Sequence, residues 1–131
     1  MAREELILKL QMLEQRAEER RQQIGETDRQ IEEMMQLRMS LERLESSRGK
    51  EILSALGRGV FLNTKVNDDK VFVNVGRKVL VRKTFKEAIE ILNNQLEGLE
   101  AMKSELMNGV EEINLKLYEL LEEAQKAEKE N

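Results

Sequence analysis

Apolar residues recur along this chain in alternating steps of three and four over two long stretches, and in steps of two over a shorter stretch between them. From Arg3 to Glu45 the repeat runs Leu6, Leu10, Leu13, Ala17, Arg20, Ile24, Thr27, Ile31, Met34, Arg38, Leu41, with eight of the eleven positions apolar. That spacing, sustained over several heptads, predicts a long helix with a coiled-coil seam. Arg20, Thr27 and Arg38 interrupt the seam. Polar residues there lower stability but fix register, since other alignments would bury them unpaired.

A second repeat runs Ile89, Leu92, Leu96, Leu99, Lys103, Leu106, Val110, Ile113, Leu117, Leu120, Ala124, Ala127, with Lys103 its one polar member. Thr84-Phe85-Lys86-Glu87 reads as a capping box that fixes the start of this helix. The predicted organisation is a helix over 3–45, a β segment over 49–83 and a second helix over 84–128.

In the β segment, Glu45-Ser46-Ser47-Arg48-Gly49 ends the first helix, with Gly49 suited to its C-terminal cap. Ile52 to Leu56 is a weak first strand. Val60, Leu62 and Val66 alternate with Phe61 and Asn63; Val71, Val73 and Val75 alternate with Phe72 and Asn74; Val79 and Val81 flank Leu80. Gly57-Arg58-Gly59, Asn67-Asp68-Asp69-Lys70 and Gly76-Arg77-Lys78 suit tight reversals. Four short strands in two hairpins are too few to bury an apolar face or hide their edges. They are expected to close a sheet against strands of other chains, through Val60, Phe61, Leu62, Val66, Val71, Phe72, Val73, Val75, Val79 and Val81.

Each helix would be about 65 Å long at 1.5 Å per residue. Because both leave the same insert, they can fold back as an antiparallel coiled coil. With residue 45 opposite 84, Glu26 and Thr27 come level with Lys103, giving the one buried cation of the second seam a polar partner. The same register sets Leu6 to Leu13 beside Leu117 to Leu121. There the apolar residues Leu6, Ile7, Leu8, Leu10, Met12 and Leu13 exceed what a seam requires, and Tyr118 and Leu121 lie beside the opposite seam. Either a thick seam or subunit contact, or a binding surface, accounts for that surplus. The last segment, 122–131, is Glu/Lys/Ala-rich and is expected to fray.

Composition fits long helices with a thin core: 37% of residues are charged and 3% aromatic, with no Pro and no Trp. The formal charge of −4 and pI near 5.2 disfavour a nucleic-acid partner. The cluster Arg77, Lys78, Arg82, Lys83, Lys86 reads as a solvated rim or an intersubunit charge partner. With no Cys and no His, disulfides and thiolate metal sites are excluded, and no nucleophile–base set is evident. GRG and VGRK lack the Gly-Lys-Ser/Thr and following helix of a phosphate loop. No catalytic, cofactor or metal residue is expected. The N-terminal segment does not read as a signal peptide, and no apolar run approaches the roughly 18 residues of a membrane span. A cytoplasmic protein is expected.

Long helix, two hairpins and long helix in one short acidic chain resembles the archaeal α-class prefoldin subunit. The resemblance is sharpest over Ile52-Leu53 through Leu56-Gly57-Arg58-Gly59-Val60-Phe61, Val73-Asn74-Val75-Gly76, and Thr84-Phe85-Lys86-Glu87-Ala88-Ile89. This chain has Ser54-Ala55 where the family often has Val-Pro, and Arg77-Lys78 where a second Gly is common. The resemblance implies a mainly α fold with small β content, in which the hairpins of two α and four β subunits form an intersubunit β-barrel with coiled coils hanging from it. It also implies an ATP-independent holdase that grips unfolded polypeptides at the coiled-coil tips and delivers them to a group II chaperonin. Leu6, Ile7, Leu10, Met12, Leu13, Leu117, Tyr118 and Leu121 are the tip residues expected to contact clients. The competing expectation is a structural coiled-coil spacer or filament-forming prefoldin-like subunit.

Overall fold

A computed structural model describes residues 2–130. Its elements are α1 (Arg3–Ser46), β1 (Glu51–Gly57), β2 (Val60–Lys65), β3 (Lys70–Asn74), β4 (Leu80–Thr84) and α2 (Phe85–Glu130). Two long helices and two antiparallel hairpins are thus the fold class the periodicities predict. Residues pack into two compact units, one of Met1–Ile31 with Gly98–Asn131, the other of Glu32–Glu97.

The unit of Met1–Ile31 and Gly98–Asn131 is two helical segments side by side, and its core is a stripe. Along α1, Leu6, Leu10, Leu13, Ala17, Arg20, Ile24, Thr27 and Ile31 are buried or half-buried, and every residue between them is exposed. Along α2 the same holds for Leu99, Lys103, Leu106, Val110, Ile113, Leu117, Leu120 and Ala124, with Gly109 added. The seam stops there, since Ala127 is exposed. The helix continues through Glu130; Asn131 lies outside the described residues.

Each polar seam residue of this unit has its own physical account. Thr27, buried, donates from Oγ1 to the Gln23 carbonyl at 2.8 Å, so its hydroxyl is satisfied inside its own helix. Arg20 lies over Gly109: a Cβ built on that glycine would stand 2.8 Å from Arg20 Nε and 3.1 Å from Cδ. The glycine leaves the outer arginine side chain room to lie there, and any larger residue would have to push it aside. Lys103 is half-buried rather than buried, and its ammonium meets Asp28 Oδ1 at 2.7 Å. The level is the expected one, but the partner is Asp28 instead of Glu26 or Thr27. The Asp28 carboxylate sits at the seam's edge, where a lysine can reach it without being desolvated.

The unit Glu32–Glu97 holds the nearest thing to a globular core. Leu41, Phe85, Ala88 and Leu92 form a buried cluster, against which Met34, Leu44, Val66, Val71, Val73 and Ile89 pack. Arg38, the remaining polar seam residue, donates from Nη1 to Asn93 Oδ1 at 2.8 Å. Helix α2 opens on the predicted box: the Glu87 amide donates to Thr84 Oγ1 at 3.0 Å, and the Thr84 amide donates to Glu87 Oε1 at 3.3 Å. Two otherwise unpaired amides at the helix start are thereby satisfied. The Phe85 amide donates to the Asp69 carbonyl at 3.0 Å, tying the helix start to the segment between the hairpins.

Gly49 does not cap α1 directly. It follows in a turn closed by the Lys50 amide on the Ser47 carbonyl, takes φ of 80° and donates its amide to Val66. That positive φ is free of steric cost only for glycine. The turn ends the helix while its glycine docks the end of the first hairpin.

Candidate functional site

Each hairpin is a separate two-stranded sheet. In the first, Ile52 faces Thr64, Leu53 faces Asn63, Ser54 faces Leu62 and Ala55 faces Phe61, with an irregularity between Ala55 and Gly57. In the second, Val71 faces Lys83, Phe72 faces Arg82, Val73 faces Val81 and Asn74 faces Leu80. No strand of one hairpin pairs with the other among the described residues. Each sheet therefore keeps two unpaired edges, a marginal arrangement for any hairpin left alone.

The predicted assembly residues divide into two sets. Val66, Val71 and Val73 face inward onto the Leu41–Phe85–Leu92 cluster, and Val81 is half-buried. Val60, Phe61, Leu62, Phe72, Val75 and Val79 are exposed, Phe72 at 68%. Leu53, Leu56 and Leu80 share that exposure without having been singled out by periodicity. Leu53 and Leu56 lie in the weakest strand pattern, and Leu80 sits where valines on either side drew the alternation the other way. Strand β4 begins at Leu80 because Val79 is spent on closing the turn, its amide donating to the Gly76 carbonyl at 3.0 Å.

Both hairpin turns place cationic side chains at positive φ: Arg58 at 51°, Arg77 at 52° and Lys78 at 61°. Two-residue loops of this hand match the twist of antiparallel strands, but each non-glycine residue in the left-handed region costs about 1–2 kcal/mol. Asp68 ties the second hairpin together: its Oδ1 accepts the Lys70 amide at 2.9 Å and its Oδ2 pairs with Arg82. The Lys70 amide first, and then Arg82, hold this carboxyl below its ordinary value.

At the opposite ends of the helices, the predicted tip residues also divide. Leu6, Leu10, Leu13 and Leu117 are half-buried seam residues, whereas Ile7, Met12, Tyr118 and Leu121 are exposed, Tyr118 at 71%. Leu8 and Leu115 add to the exposed set. Leu115 escaped the periodic reading because it lies off the seam and alone among polar neighbours. Within this unit a groove beside the seam is lined by Leu13, Arg16, Arg20, Gly109, Ile113 and Lys116 among others, so both helix ends contribute to one surface. Among the described residues, no helix is long and apolar enough to cross a membrane.

Two long helices joined by two separate hairpins with free strand edges define a fold class, and comparison with known proteins gives the class a family. The Prefoldin family model, described as prefoldin subunit, matches residues 13–130. Prefoldin subunit alpha of Thermofilum pendens is 30% identical over 91% of this chain and 94% of its own length; that of Methanococcoides burtonii is 34% identical over 80% and 78%. Prefoldin subunit alpha 2 of Thermococcus kodakarensis is 37% identical over 66% of this chain, a stretch that spans 61% of that relative. Among solved structures, the cryo-EM structure of filamentous PFD from Methanocaldococcus jannaschii matches with a TM-score of 0.75 at 25% identity, covering 87% of this chain and 96% of that one. The chain belongs to the prefoldin family, with the archaeal α-class subunits.

Proposed function

We propose that this chain is the α subunit of an ATP-independent holdase. Its hairpins assemble with prefoldin β subunits into a cytoplasmic hexamer of two α and four β chains. The helix ends hold unfolded polypeptides, which pass to a group II chaperonin. The observation that carries the reading is the exposed apolar set at the helix ends: Ile7, Met12, Tyr118 and Leu121 make no contribution to the seam and still face solvent. Half-buried Leu6, Leu10, Leu13 and Leu117 become available when the end of the coiled coil parts. Each apolar side chain withdrawn from water contributes up to about 1.5–3 kcal/mol, reduced by the cost of ordering. Several arms acting together turn weak contacts into useful avidity.

An aggregation assay on a chemically denatured client, without nucleotide and with the co-assembled β subunit, tests this. Ile7→Ser, Met12→Ser, Tyr118→Ser and Leu121→Ser together should abolish suppression of aggregation while leaving helix content and the mass of the assembly unchanged. Full protection by that variant would remove the helix ends from the mechanism. A second reading, a filament-forming subunit, draws on the filamentous assembly formed by the structural neighbour. Native mass measurement separates the two: a closed heterohexamer favours the holdase, an open series of masses the filament.

A further inference from the structure

Exposed apolar residues on the last third of α2 are set among acids. Between 111 and 123 the sequence holds five glutamates and one lysine, and Leu115, Tyr118 and Leu121 are 61%, 71% and 49% exposed. Side chains three and four residues apart are neighbours on a helix. Glu111 and Glu119 therefore flank Leu115 on either side, and Glu122 lies one turn beyond Tyr118. All three glutamates are exposed, and among the described residues none is held in an ion pair. The unit containing them, Met1–Ile31 with Gly98–Asn131, carries ten Lys and Arg against sixteen Asp and Glu. The acidity of the whole chain resides there, since the unit Glu32–Glu97 carries twelve basic residues against ten acidic.

From this stripe, and resting on the holdase reading above, we infer a client class: extended segments in which apolar residues alternate with Arg or Lys. Two independent features select it. Carboxylates beside an apolar side chain attract a cation that follows an apolar residue in the client and repel an acid in the same place. Tyr118, the one tyrosine of the chain, presents an open ring face, which takes a guanidinium or ammonium by cation–π attraction. Arg3, Lys9 and Lys116 are exposed in the same unit, but Lys116 stands alone against the five glutamates of the stripe. These contacts are exposed, so they are screened over about 10 Å at 0.1 M salt. The selectivity is accordingly a matter of several-fold, superimposed on the apolar grip.

Three fluorescent unstructured peptides of identical apolar content test the inference, one with interleaved Arg, one with Ser and one with Glu, each titrated into the full chain co-assembled with its β subunit. At low salt the Arg peptide should bind about five-fold or more tighter than the Glu peptide, the sum of a few exposed charge contacts. The gap should close in 0.5 M NaCl. Glu111→Gln, Glu119→Gln and Glu122→Gln together should remove the preference and leave affinity for the Ser peptide unchanged. Equal affinities for all three peptides, or a preference for the Glu peptide, would overturn the client class while sparing the holdase. Failure to bind even the Ser peptide would overturn both. Should the substitutions change the mass of the assembly or its binding to a chaperonin but not peptide preference, the stripe serves a protein contact instead, and the inference falls.

Discussion

Lys78 sits in the left-handed region at φ of 61°, next to Arg77 at 52°. Strand twist demands that hand from a two-residue loop, so the backbone accepts the strain instead of relaxing it. Lys78→Gly is therefore expected to stabilise the second hairpin by up to about 1 kcal/mol, whereas Lys78→Ala, which keeps a Cβ, should give no gain. Thermal melting of both variants at one protein concentration decides this, and a stabilised alanine variant would show the effect to be charge rather than strain. The polar residues of the seam repay the same attention. Arg20 lies over Gly109, Thr27 bonds its own backbone, and Arg38 has Asn93. Register in this coiled coil is written in individual side chains more than in leucines.

Among the elements, α2 and the second hairpin share a carboxylate network at their junction. Glu87 is held below its ordinary value by the Thr84 amide, then by the Thr84 hydroxyl and by Lys83, and Asp68 by the Lys70 amide and Arg82. A carboxylate whose folded pKa is depressed contributes stability that is fully present above its unfolded value and is lost as pH falls through the folded one. The start of α2 and the second hairpin should thus loosen just below the ordinary carboxylate range, before the Leu106–Leu120 stretch of the seam, which lies beyond the Lys103–Asp28 pair and holds no carboxylate bond among the described residues. Amide exchange followed on acidification should show Lys70, Thr84 and Glu87 losing protection ahead of Val110 and Ile113; simultaneous loss would refute the ordering. The elements themselves were legible in sequence. Every predicted seam position of α1 from Leu6 to Leu41 is buried or half-buried, because a step of three and four leaves a helix one way to face its partner. The hairpins were legible in number but not in facing. Both faces carry apolar residues, so alternation could not tell that Val71 and Val73 pack inward while Phe72 and Leu80 look out. Nor could spacing say that Lys103 would choose Asp28, since a long side chain reaches beyond the residue level with it.

Taken as a whole, the molecule leaves large apolar side chains uncovered on both hairpins and at the helix ends, and the two sets should respond differently to mutation. Phe61→Ser with Phe72→Ser removes exposed side chains that the chain's own core does not use. It should leave helix content intact and change monomer stability by no more than about 0.5 kcal/mol, yet lower the mass of the assembly. An assembly of unchanged mass, seen by sedimentation, would shift the interface to the strand edges alone. On the proposed function, assembly and client holding would rest on separate residues and be separable by mutation.

The seam itself carries a consequence for how the fold comes apart. In the unit of Met1–Ile31 with Gly98–Asn131 the buried side chains form a single row, without a cluster like that of Leu41, Phe85, Ala88 and Leu92. Each helical turn is held by the turns above and below it, as in a zipper, and stability is close to a sum of neighbouring terms. Unfolding of such a stripe proceeds as fraying of graded depth rather than as one all-or-none event, and Ala17, Gly109 and Ala124, the smallest teeth of the zipper, mark where its grip is weakest.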